Sequence, residues 1–138
     1  MSRESRLTAG ALLILMPAVV YGGASILSLL VGSPEYAHNE LRQDLWRAGH
    51  AHAGVLLVLS LVTLRYVDEA RLPYSMKRVA RHSIPAAAVL LPAGFFLSVA
   101  SPDATEPNVL IYLAYVGAVS LATGLLILGV GTIRSGLK

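Results

Sequence analysis

Residues 7–31 read LTAGALLILMPAVVYGGASILSLLV, roughly 25 positions without an Asp, Glu, Lys or Arg. At about 1.5 Å per residue, a helix of this length exceeds the ~30 Å hydrocarbon core of a bilayer. A cleaved secretory leader has an apolar stretch of only ~7–15 residues, so this run is expected to persist as a helix. Three further runs follow, over about 48–67, 83–100 and 109–133. Each reaches the roughly 20 residues needed to span. In lipid every backbone N–H and C=O must be paired within its own segment, which leaves helices as the only economical reading. The expectation is an all-α integral membrane protein, one domain over 1–138 built as a four-transmembrane-helix bundle.

Composition agrees. Of 138 residues, 55% are hydrophobic and 14% charged, against about 25% charged in an ordinary soluble domain. Mean hydropathy is +0.64. There is no cysteine, which excludes disulfides, thiolate metal sites and a cysteine nucleophile. The net charge of +3 is no nucleic-acid footprint, because the basic residues follow the hydrophobic segments. No phosphate loop, His-Glu-x-x-His helix or spaced nucleophile–base pair occurs, so catalysis by the chain alone is not expected.

The basic residues set a direction. Nine of the eleven lie in the N-terminal tail (Arg3, Arg6), the second connection (Arg65, Arg71, Lys77, Arg78, Arg81) and the C-terminus (Arg134, Lys138). The other side holds Arg42 and Arg47, with Glu35, Glu40, Asp44, Asp103 and Glu106 around them. The positive-inside rule therefore places both termini in the cytoplasm. The second connection is expected to meet anionic lipid headgroups.

The first outer connection opens with Ser33-Pro34-Glu35, an N-cap, a proline at the first helical position and an early acid. Ala37, Leu41, Leu45 and Ala48 recur at helical spacing, and Trp46 stands where an interfacial anchor would. The spacing predicts a short interfacial helix over about 34–46. As a lid it would turn His38 and Arg42 toward a site; otherwise it covers the bundle.

Span two starts with Arg47-Ala48-Gly49-His50-Ala51-His52-Ala53-Gly54. Ionisable groups at a membrane helix are functional candidates by default. Residues two apart on a helix point roughly 200° apart, so His50 and His52 do not share a face if this stretch is helical. Gly49 and Gly54 leave little bulk, which suits close helix approach or room for a flat porphyrin. Arg47 would meet a haem propionate or snorkel to lipid phosphate. Neutral imidazole suits haem iron, copper or zinc. Tyr112, Tyr115 and Tyr21 stand at the same outer level. A copper or zinc site would draw on His50, His52 and His38 with a carboxylate. A six-coordinate haem b needs a second axial ligand, and no other span carries a histidine at that depth, so a homo-oligomer or a larger complex would supply it. Met16 is expected to pack.

The "GHAHAG" stretch at 49–54 resembles the His-x-His helix of haem-copper oxidase and nitric oxide reductase catalytic subunits. It also resembles small four-helix bacterial membrane proteins with such a helix. The resemblance implies a bacterial plasma-membrane protein in which His50 or His52 is an axial haem ligand. The chain lacks the length of a twelve-helix oxidase and its histidine-rich partner helices.

The leading expectation is a membrane protein that binds haem or a transition metal through outer-face histidines, in electron transfer or cofactor handling. A cofactor-free accessory subunit and a transporter or channel component are the alternatives. A repeat is also suggested: ILMPAV at 14–19 matches VLLPAG at 89–94, and LSLVTLR at 59–65 matches LGVGTIR at 128–134.

Overall fold

The computed structural model describes residues 1–137 and is built of helices; Lys138, counted above among the basic ends, lies outside the described residues. Helix α1 runs Arg3–Gly32, α2 is the single turn Pro34–Ala37, α3 runs Glu40–Glu69 and α4 runs Tyr74–Ser98. A 3-10 turn, Val109–Ile111, leads into α5, Tyr112–Gly136. Four of these, α1, α3, α4 and α5 with its leading turn, are long and apolar enough to cross a membrane.

Local chemistry sets the ends. Ser2 caps α1, its hydroxyl accepting from Ser5 N. Ser33 does the same for α2, with Pro34 at the first helical position as expected. The predicted interfacial helix over 34–46 is corrected here. It stops at Ala37, and α3 starts at Glu40, because Asn39 Oδ1 accepts from Arg42 N at 3.0 Å. Asn39 also donates Nδ2 to the carbonyls of Pro102 and Ala104 at 3.3 and 3.0 Å, which ties this break to the far turn. The second connection is shorter than its charge suggested. Pro73 opens α4, so the basic residues 77–81 ride on helix rather than loop. Pro17, Pro85 and Pro92 lie inside helices that continue past them.

The helices pack in the order α1, α3, α4, α5. Leu12, Leu56, Leu57, Leu64, Ala88, Leu91 and Ala114 form one buried cluster. A second, of Val67, Ala70, Ala80, Ile84 and Leu128, lies toward the chain termini. Met16 packs against the first, as expected. The two hairpins are unequal. Between α4 and α5 the backbones nearly touch: a β-carbon on Gly94 would lie 2.4 Å from Ala114 N, and one on Gly117 would lie 2.8 Å from Leu91 N. Ser120 adds a hydroxyl bond to Ser83 O at 2.9 Å. Helix α1 instead lies at the edge on α3, and none of its most apolar stretch is buried.

The termini end is held by charge. Arg81, with a side chain 4% exposed, meets Asp68 Oδ1 at 3.0 Å and also pairs with Glu4. Its Nε donates to Ser5 Oγ at 3.0 Å, and Ser5 Oγ donates to Asp68 Oδ1 at 3.1 Å. One guanidinium thus clamps the start of α1, the end of α3 and the start of α4.

Candidate functional site

The opening of α3 is helical throughout, so His50 and His52 diverge as the helical period requires. His50 turns toward α1. A β-carbon on Gly23 would lie 2.9 Å from His50 Cε1 and Nε2, so glycine is what admits the ring. Gly22 leaves more room, its would-be β-carbon 3.9 Å from Nδ1. His50 is half-buried and lines a groove of about 240 Å³ between α1, α3 and α4. Leu57 and Ala88 form its buried floor; Leu15, Ala18 and Val89 form an exposed rim.

His52 points elsewhere. It is exposed, its ring centroid 5.3 Å from that of Phe95, and its Nδ1 is 2.7 Å from Ala48 O. A carbonyl only accepts, so Nδ1 carries the proton and the lone pair of the neutral ring is on Nε2. His38 repeats this at the end of α2, with Nδ1 2.7 Å from Pro34 O. Among the described residues no hydrogen bond reaches His50, and no three His, Asp or Glu side chains gather into a metal-holding group. The structure therefore does not bring His38, His50 and His52 together.

The remaining candidates divide between packed glycines and exposed side chains. A β-carbon on Gly49 would lie 3.0 Å from Phe96 Cε2 and 3.2 Å from Phe95 Cβ, and one on Gly54 would lie 3.7 Å from Val19 Cγ1. The space over Gly49 is thus filled by Phe95 and Phe96, while Gly54 stands at ordinary van der Waals distance from Val19. Arg47 is exposed and pairs with Asp44 at 2.6 Å on its own helix. Tyr112 and Tyr115 are exposed on α5, ring centroids 5.9 Å apart, and no α5 residue lines the His50 groove.

Arg42, which a lid would have turned toward a site, is 7% exposed and serves the end of α4. Its Nε donates to Val99 O at 3.1 Å, placing a cation where a helix leaves carbonyls unpaired. The guanidinium lies 4.7 Å from the Trp46 ring centroid and 5.6 Å from that of Tyr36. Trp46 Nε1 donates to Phe96 O at 3.2 Å. Burial pushes the Tyr36 phenol above its ordinary value, against the pull of Arg47 and Arg42. In the far turn, the Ser101 hydroxyl bond holds the exposed Asp103 carboxyl below its usual value.

The sequence reading missed two features, the Arg81 clamp and the His50 groove. Glu4, with no place in an apolar run, was the available signal for the first. Paired glycines at 22 and 23, level with the histidines on the neighbouring span, were the signal for the second. Comparison with family models, with curated proteins and with solved structures finds no match to this chain, so its reading rests on its own residues.

Proposed function

We propose that the protein resides in a bacterial plasma membrane with both termini cytoplasmic. There it holds a haem or transition-metal ion at its outer face, in electron transfer or cofactor handling. The observation that carries this reading is the His52 ring, fixed by its Nδ1 bond to Ala48 O with Nε2 free on an exposed face. Metal-ligating imidazoles are commonly oriented by such a bond through their other nitrogen. The His50 groove does not fit a porphyrin: about 240 Å³ is below the ~300 Å³ at which pockets for drug-sized ligands begin. His52 would therefore be the residue that holds a haem b, and another copy or a larger complex would supply the further ligand. Bound there, haem would supply a one-electron couple. Copper or zinc without haem would use His52 or His38, both with Nε2 available.

The test is an absorption spectrum with metal content for the detergent-purified protein. Haem binding gives a Soret band that His52→Ala removes and His50→Ala leaves. A colourless, metal-free protein ends the reading. The chain lacks cysteine, so single cysteines at Asp103 and Ser75 report orientation cleanly. The reading expects an impermeant thiol reagent to reach the first from outside and the second from the cytoplasm.

A second reading, a cofactor-free accessory subunit, is favoured by the close packing of Phe95 and Phe96 over Gly49. It expects no pigment, and co-purification with a larger membrane protein after mild solubilisation.

A further inference from the structure

We propose that the groove between α1, α3 and α4 binds a lipid-soluble, one-ring carbonyl compound of the quinone class, with His50 as its hydrogen-bond partner. Its lining is apolar except for that imidazole. Its rim residues Leu15, Ala18 and Val89 are exposed on the apolar flank of the helices, so entry is sideways from the hydrocarbon. This does not rest on the His52 reading, since the two rings face apart.

Size and polarity select the ligand. At about 240 Å³ the groove is smaller than the ~300 Å³ at which pockets for drug-sized ligands begin, a size that suits a single ring with its oxygens. A half-buried polar group in apolar surroundings costs free energy until it is hydrogen-bonded. Within the described protein His50 has no such bond, so the favoured occupant brings an oxygen; an acyl chain does not. Nε2 packs against Gly23, so Nδ1, beside the groove-lining Gly22, is the nitrogen that meets the ligand; according to tautomer it donates to a ring carbonyl or accepts from a ring hydroxyl. Phe96 supplies an aromatic wall.

The protein carries its own reporter. Its single tryptophan, Trp46, lies with its ring centroid 5.9 Å from that of Phe96. The full chain in lipid nanodiscs is titrated with a benzoquinone bearing one isoprenyl tail, and Trp46 quenching is followed. The wild type is expected to quench saturably. His50→Leu should weaken binding about tenfold, equivalent to a net hydrogen bond of ~1.4 kcal/mol. His50→Gln should retain most of the affinity. Ala18→Leu, which adds bulk at the exposed rim, should lower it with His50 intact. His52→Ala should leave it unchanged, which separates this site from the haem proposal. Quenching that rises linearly and equally in all variants would overturn the proposal. So would displacement of the probe by a long-chain alkane, since the groove would then be a lipid-tail slot. If His50→Leu loses its helical circular dichroism, Ala18→Leu and His50→Gln decide the question.

Discussion

The Tyr36 hydroxyl is buried without a hydrogen-bond partner among the described residues, although its ring packs on Trp46 at a centroid distance of 5.6 Å. Burying an unpaired hydroxyl is unfavourable, so removing it should help. Tyr36→Phe is expected to stabilise the fold by about 1 kcal/mol, read from Trp46 fluorescence during SDS unfolding in micelles. The same burial raises the phenol pKa above 10.0. The sign follows by linkage. Below the ordinary phenol value neither state ionises, and stability is whole. As pH rises past it the unfolded chain ionises first and stability falls. Tyr36→Phe should flatten that alkaline loss; an unchanged slope against the wild type would show that other groups cause it.

Helices α4 and α5 meet through glycine, and space at each position predicts opposite outcomes for one substitution. A methyl at Gly94 would strike Ala114 backbone, which cannot swing aside as a side chain would. Gly94→Ala should cost about 2 kcal/mol through overpacking. Gly129, in the same hairpin, has nothing within 4 Å of a new β-carbon. Gly129→Ala should be neutral or stabilising by up to ~1 kcal/mol, the gain in helix propensity. Equal effects in SDS unfolding would deny the close approach. These contacts mark the limit of what the sequence held. The four apolar runs were readable because hydrophobic length is a local property, and the divergence of His50 and His52 followed from the helical period. Helix ends were less readable: Asn39 and Pro73 set the starts of α3 and α4 within segments whose apolar spacing or charge pointed elsewhere. Which glycine met which ring was not readable, because that depends on how α1 lies against α3. Arg81 looked like a headgroup contact because its partners, Glu4 and Asp68, are brought to it only by tertiary packing.

The packing order makes α1 the least secured part of the molecule. It buries none of its most apolar stretch, and it meets the rest along α3 and at its ends. At one end the Arg81 clamp joins it to α3 and α4 through Glu4, Ser5 and Asp68. Near the other, His50 lies against Gly22 and Gly23. In lipid, apolar contact between helices adds little over contact with acyl chains, so polar bonds and close packing carry association. Replacing Arg81 leaves Asp68, with its side chain 17% exposed, without its ionic partner. Breaking a buried pair from one side costs ~3 kcal/mol. Arg81→Gln should therefore release α1 before the rest yields, since proteins open in parts according to local stability. Hydrogen exchange with mass spectrometry in nanodiscs reads this directly. Exchange should rise at the N-terminal turns of α1 and the last turn of α3, while α4 and α5 near Gly94 and Gly117 stay protected. Uniform loss of protection across all helices would mean that the clamp holds the whole fold rather than one edge. No change would mean that α1 is held by its glycine contact with His50, and Gly23→Leu would then be the substitution that frees it.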